Sequence, residues 1–115
     1  DFTLSFRNLA KIVDKSITIE DSVFGKSGVF TKWYKSWKKE INISNASQQM
    51  NLKNPCYIPR NHLIEIALKN GVDGDMTKIN LITTLLESPF IEKDGYEKYT
   101  MPSSSDERYI TYCGT

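Results

Sequence analysis

The sequence predicts an all-α fold, and three observations carry that reading. Apolar residues recur at spacings of three and four in several separate stretches, no stretch alternates with strand period over a useful length, and prolines and glycines fall between the periodic stretches. About four helices with an irregular C-terminal tail follow. At 115 residues the chain is expected to be one domain, 1–115, with a single core.

Phe2, Phe6, Leu9 and Val13 form the stripe of a helix packed on one side, predicting a first helix from about Asp1 to Val13. Asp14 to Gly28 mixes Ser, Thr, Asp and glycines and reads as a loop, with a short turn around Ile19 to Phe24. From about Val29, the residues Phe30, Trp33, Tyr34, Trp37 and Ile41 fall on one arc, with Lys32, Lys35, Lys38 and Lys39 opposite. This is an amphipathic aromatic helix. The polar stretch Asn42 to Lys53, with Met50 and Leu52 as its sizeable apolar residues, is expected to continue that helix weakly or to fray.

Asn54-Pro55-Cys56-Tyr57-Ile58-Pro59-Arg60-Asn61 divides the chain into two helix-rich halves. Two prolines remove two backbone donors and fix φ, so a regular helix cannot run through it. Asn54 and Ile58, each preceding a proline, are pushed towards extended geometry. A rigid bend is expected to aim Tyr57, Arg60 and Asn61 as the next helix begins. That helix should run from about Pro59 to Asn70, with Gly71 as its C′ residue. Asp75 is a natural N-cap for a helix whose Met76, Ile79, Leu81, Ile82, Leu85 and Leu86 suggest a place at the centre of the core. Pro89 stops it, and Phe90 to Thr115 is expected to wrap the helices irregularly.

Several chemistries find no support in these residues. A formal net charge of +1 gives no global pull towards nucleic acid or membrane. No apolar run approaches the roughly 20 residues that span a bilayer. Cys56 and Cys113 fit neither a zinc nor a CxxC spacing. His62 cannot build a common zinc site unaided and reads as solvated or hydrogen-bonded. Asp73 and Asp75 with Gly71 and Gly74 suggest a calcium loop only superficially, since the later carboxylates are missing; a capped turn explains them better. Neither GxGxxG nor GxxxxGK[ST] is present, and no Ser/His/Asp order or carboxylate pair stands out. On its own residues the segment is not an enzyme. Arg60 offers five fixed donors and Asn61 both a donor and an acceptor, so bracing between helices is preferred for them over ligand contact. The chain opens at Asp1 inside an amphipathic pattern, with neither an initiating Met nor a signal-peptide core, and is expected to be a piece of a longer protein.

Taken together, these landmarks resemble the C-terminal part of the selenoprotein O family, the pseudokinase-like protein adenylyltransferases. The family block Asn-Pro-x-Tyr-x-x-Arg-Asn is matched by Asn54, Pro55, Tyr57, Arg60 and Asn61. The opening Asp-aromatic-Thr followed by Phe-Arg is matched by Asp1, Phe2, Thr3, Phe6 and Arg7. A tryptophan-bearing helix is matched by Trp33 and Trp37, and a Leu-Leu-x-x-Pro-aromatic turn by Leu85, Leu86, Pro89 and Phe90. Cys113 stands third from the end, where some relatives carry selenocysteine. Pro59 and Cys56 depart from the aliphatic and polar residues usual at their positions.

The resemblance implies a parent protein that binds ATP and Mg²⁺ in a kinase-like fold and transfers AMP to Ser, Thr or Tyr hydroxyls of protein substrates. Its nucleotide- and metal-binding residues would lie upstream, and this segment would buttress that catalytic part. It implies redox control through Cys113 and a cysteine of the catalytic part, with Cys113 expected to be solvent-accessible and unpaired within the segment. The family suggests mitochondria in eukaryotes and cytoplasm in bacteria. A rival reading is a small helical interaction module that presents an aromatic groove to a partner helix; nucleic-acid binding through the lysine face is a third.

Overall fold

The computed structural model describes residues 1–103. It is all-α there, with α1 (Phe2–Val13), α2 (Gly28–Lys38), α3 (Ile43–Lys53), α4 (Asn61–Val72) and α5 (Thr77–Glu87), then a 3-10 turn at Glu97–Thr100. No strand occurs among the described residues. The chain divides into two compact units, Asp1–Cys56 and Tyr57–Thr115. The boundary falls inside the two-proline stretch.

In the first unit, α1 starts at Asp1, whose carboxylate accepts the Leu4 N–H at 2.8 Å. Its buried face, Leu9, Ala10, Ile12 and Val13 together with Arg7, packs against α3. The helix ends in a Schellman motif: the Ser16 N–H donates to the Lys11 carbonyl at 2.9 Å and the Lys15 N–H to that of Ile12 at 3.2 Å. The left-handed position between them is held by Lys15, at φ 65°. The loop beyond it carries part of the core, since Ile17, Ile19 and Phe24 pack against the cluster of Leu9, Ile12, Val13 and Tyr34. The Asn8 side chain ties this loop to α1, accepting from the Val23 N–H at 3.1 Å and donating to the Leu4 carbonyl at 3.0 Å.

Helix α2 begins at Gly28, capped by Ser27, whose hydroxyl accepts the Phe30 N–H at 3.2 Å. It stops at Lys38, so Ile41 lies beyond the aromatic stripe expected to include it. The polar stretch neither continues α2 nor frays. Asn42 turns to extended geometry, at φ −80° and ψ 96°, and an independent α3 starts after it, making five helices where about four were expected. Packing outweighs its weak intrinsic pattern: Ala46 and Met50 of α3 lie against the core that α1 and Tyr34 build.

In the second unit, α4 begins at Asn61, two residues later than expected, because Arg60 keeps the extended geometry of φ −89° and ψ 127°. The helix runs through Gly71 to Val72 instead of ending before it. Its Schellman motif lies three residues further on, with Asp75 N–H donating to Asn70 at 2.8 Å, Gly74 N–H to Gly71 at 3.0 Å, and Gly74 at φ 94°. Gly71 serves the packing of α4 on α5: a Cβ there would come within 2.7 Å of Ile79 Cδ1. Helix α5 starts one residue beyond Met76, and Asp75 reaches past that residue to accept the Thr77 N–H at 3.0 Å. The expectation that α5 is central is corrected: Leu85 is its buried residue, Ile79, Leu81, Ile82 and Leu86 are half-buried, and Met76 is exposed. Within the second unit α5 packs one face on α4 and leaves the other to solvent.

Candidate functional site

The landmarks recognised one by one in the sequence prove to be bonded to one another, and the two-proline stretch supplies a partner in each unit. At its start, Asn54 closes α3. Its backbone N–H and its side-chain Nδ2 both donate to the Met50 carbonyl, at 3.0 and 2.8 Å. Because Pro55 follows, Asn54 is extended, at φ −122° and ψ 109°. Its own carbonyl then accepts from Arg7 Nε at 2.6 Å, while Arg7 Nη2 donates to the Asn51 carbonyl at 3.1 Å. One buried guanidinium thus serves two carbonyls at the C-terminal end of α3, where helical carbonyls lack intrahelical partners and the helix dipole favours a cation. The Phe-Arg landmark and the Asn-Pro landmark are one assembly.

At the other end, Tyr57 is 2% exposed. Its backbone N–H donates to the Pro89 carbonyl at 3.2 Å, joining the block to the Leu-Leu-x-x-Pro-aromatic turn. Its hydroxyl accepts the Lys93 N–H at 2.8 Å and faces the Lys93 carbonyl at 3.4 Å, so one phenol pins both backbone groups of a residue in the irregular segment. Arg60 is half-buried and donates from Nη2 to the Thr100 carbonyl at 2.9 Å, at the end of the 3-10 turn. Burial draws its guanidinium pKa below the ordinary value. Asn61 opens α4 and is half-buried, as are Pro55 and His62. Cys56 is 6% exposed, which removes its thiol from solvent. Cys113 lies outside the described residues, and the expectations about its accessibility and pairing lie there with it.

The sequence singled out Arg7 as a landmark without seeing what it does. The periodic pattern gave no signal of it: at about 100° per residue Arg7 falls outside the arc of Phe2, Phe6, Leu9 and Val13, and its partners are carbonyls of α3 far along the chain.

A second feature lies within the first unit. Phe6, Leu9, Phe24, Phe30, Trp33 and Trp37 line an open, almost wholly apolar cavity of about 330 Å³. Phe24 and Phe30 stack with ring centroids 3.8 Å apart, and Trp33 and Trp37 with centroids 5.2 Å apart and planes 17° from parallel. Of the aromatic residues of α2, Tyr34 is buried, Phe30 and Trp37 are half-buried, and Trp33 is 46% exposed. The aromatic face is therefore a core at Tyr34 and an open rim at Trp33, not the uniform core face expected. Lys32, Lys35 and Lys38 are exposed. Among the described residues no group of three or more His, Cys, Asp or Glu side chains could hold a metal ion, and no helix is long and apolar enough to cross a membrane.

Comparison with known proteins supplies the wider frame. Over its whole length the chain is 40% identical to the protein nucleotidyltransferase YdiU of Clostridium perfringens, in an alignment of 121 residues. It is 35% identical over 122 residues to the protein of the same name in Bacillus cereus, and 33% over 116 residues to that of Pseudarthrobacter chlorophenolicus. The aligned part is 24%, 24% and 23% of those proteins, so the chain spans about a quarter of the length of the curated relatives it matches. No family model and no solved structure matches the chain. Its residues align from end to end with a C-terminal stretch of these nucleotidyltransferases, and the chain belongs to the selenoprotein O family.

Proposed function

We propose that the chain is the helical C-terminal part of a protein adenylyltransferase, which transfers AMP from ATP to Ser, Thr or Tyr hydroxyls of proteins, and that this part is structural and regulatory instead of catalytic alone. The observation that carries the reading is the whole-length similarity to one quarter of the protein nucleotidyltransferases named YdiU. The bonding of the matched landmarks supports the structural half: Arg7, Asn54, Tyr57 and Arg60 are engaged with backbone groups. On this reading ATP and Mg²⁺ lie outside this segment. Its sequence has no phosphate-cradling loop and its described residues hold no carboxylate cluster, so both would be held by another part of the parent. Redox control through Cys113 and a cysteine of the catalytic part belongs to the same proposal; buried Cys56 is unsuited to that exchange.

The test uses ATP labelled at the α-phosphate or at the γ-phosphate, with Mg²⁺. The parent protein transfers the α-label to protein and not the γ-label, and the 115-residue chain alone transfers neither. Transfer of the γ-label by the parent, or auto-modification of the isolated chain, overturns the reading.

The exposure of Trp33 favours a second reading, in which the aromatic cavity receives apolar side chains of a partner helix. Tryptophan emission that shifts to the blue when the chain is joined to its catalytic part assigns that surface to the parent; emission unchanged by the catalytic part and shifted by a separate helical peptide assigns it to an interaction module.

A further inference from the structure

The aromatic cavity of the first unit is walled by two helices, and its apolar surface runs on beyond it. On α1, Phe6 and Leu9 line it, and Phe2, 75% exposed, extends that wall with its ring centroid 4.7 Å from that of Phe6. On α2, Trp33 and Trp37 line it, and Val29, one turn before Trp33 on the same side of the helix, is 83% exposed. Phe24 and Phe30, stacked at 3.8 Å, complete the lining. Phe2 and Phe6 on one wall, and Val29, Trp33 and Trp37 on the other, are residues four apart, the ridges between which a third helix packs.

The lining has nothing to offer a polar backbone. Its hydroxyl, on Ser5, already donates to the Asp1 carbonyl at 2.8 Å. A loop or strand laid here would carry N–H and C=O groups out of water without partners, a cost that a helix avoids because its backbone groups bond within it. The groove therefore suits a helix with apolar residues at i, i+4 and i+7. The chain matches 24% of a curated relative, so about three quarters of such a protein lies outside it. A helix of that remainder, joined to the same polypeptide, meets the groove at an effective concentration that a separate peptide lacks.

We propose that the groove between Phe2, Phe6 and Leu9 of α1 and Val29, Trp33 and Trp37 of α2 seats an apolar helix from the catalytic part of the parent protein, whose side chains fill the 330 Å³ cavity. This rests on the reading of the chain as the C-terminal part of a longer protein, and it names the partner of the aromatic cavity. The exposed Trp33 is then an interface residue, buried when the two parts are joined.

The test places a photoreactive side chain at the rim, Trp33→p-benzoylphenylalanine, in the parent protein, with the same substitution at exposed Lys35 on the opposite side of α2 as control. Irradiation and peptide mapping find Trp33 joined to one helix of the catalytic part within the same polypeptide, and Lys35 not joined to it. Cross-links to a second copy, cross-links confined to residues 1–115, or none at all overturn the proposal. A second measurement keeps the native size of the groove out of the question: Trp33→Cys is alkylated about tenfold more slowly in the parent than in the 115-residue chain, as for a site open about a tenth of the time, whereas Lys35→Cys reacts equally fast in both. Equal rates for Trp33→Cys in the two overturn it. Neither readout uses ATP. Transfer of the α-label by a parent in which Trp33→Cys reacts equally fast overturns the docking alone, and cross-links to the catalytic part in a parent that transfers no label uphold the docking while overturning the adenylyltransferase reading.

Discussion

Arg7 Nε donates to the carbonyl of Asn54 at 2.6 Å, across 47 positions of sequence, and its Nη2 takes the Asn51 carbonyl at 3.1 Å. The planar fork of arginine suits two carbonyls on successive parts of a helix end, and the guanidinium lies where the α3 dipole is negative. Replacing Arg7 leaves two carbonyls at a half-buried helix end without these donors. Arg7→Ala is therefore expected to lower the unfolding free energy by about 2–4 kcal/mol, each charge-assisted bond contributing about 1.5–3 kcal/mol before relaxation. Arg7→Lys should recover only part of this, because an ammonium lacks the fork. Urea unfolding followed by far-ultraviolet circular dichroism measures both; equal stability of the lysine variant and the wild type contradicts the two-carbonyl role.

The Tyr57 hydroxyl makes a comparable tie in the second unit, holding the Lys93 N–H at 2.8 Å. Tyr57→Phe keeps the buried ring and removes that acceptor. A loss of about 1–3 kcal/mol is expected, the cost of an unsatisfied buried group. Hydrogen exchange gives the sharper readout: the Lys93 amide should lose protection in the variant, while the amides of α1 keep theirs.

Much of this architecture could be read in the sequence wherever pattern and packing agree. Helix α1 was legible because Phe6, Leu9 and Val13 mark the face that the structure uses, although Phe2 of the same stripe is 75% exposed, and Asp1 caps it. Helix α3 was not. Its Asn- and Gln-rich sequence has little period of its own, and it is held by α1 through Ala46, Met50 and the Arg7 fork, none of which is local information. The block from Asn54 to Asn61 stood out through its prolines and polar residues. What it bonds to could not be read, because Arg7, Pro89, Lys93 and Thr100 lie 32 to 47 positions away in the pairs concerned and share no pattern with it. The Lys15 turn escaped for a related reason, since a left-handed lysine has no composition signal.

The two glycines at the C-terminal end of α4 make opposite demands, and substitution separates them. Gly71 lies inside a helix, where alanine ordinarily gains about 1 kcal/mol. Its Cβ would meet Ile79 Cδ1 at 2.7 Å, so Gly71→Ala should gain little or nothing, and Gly71→Leu should lose about 1–3 kcal/mol by forcing α5 away. Gly74 has open space around it but sits at φ 94°, so Gly74→Ala should lose about 1 kcal/mol through backbone strain alone. Thermal unfolding of the three variants checks the order, which reverses if Gly71 were the left-handed cap.

The alkaline limb of stability should report Tyr34. Burial raises the pKa of its phenol above the ordinary value of 10.0 in the folded chain. In the unfolded chain the phenol ionises at the ordinary value, near pH 10. Above that pH the unfolded state releases a proton that the folded state retains, so the unfolded state binds fewer protons and stability falls as pH rises. Below it both states are protonated and Tyr34 contributes no pH dependence. The expected outcome is a decline in unfolding free energy beginning near pH 10 that is shallower in Tyr34→Phe, measured by urea unfolding at successive pH values from neutrality upward. Parallel alkaline limbs in the two proteins would show that the buried phenol titrates normally, and would place the proton uptake of the folded state elsewhere.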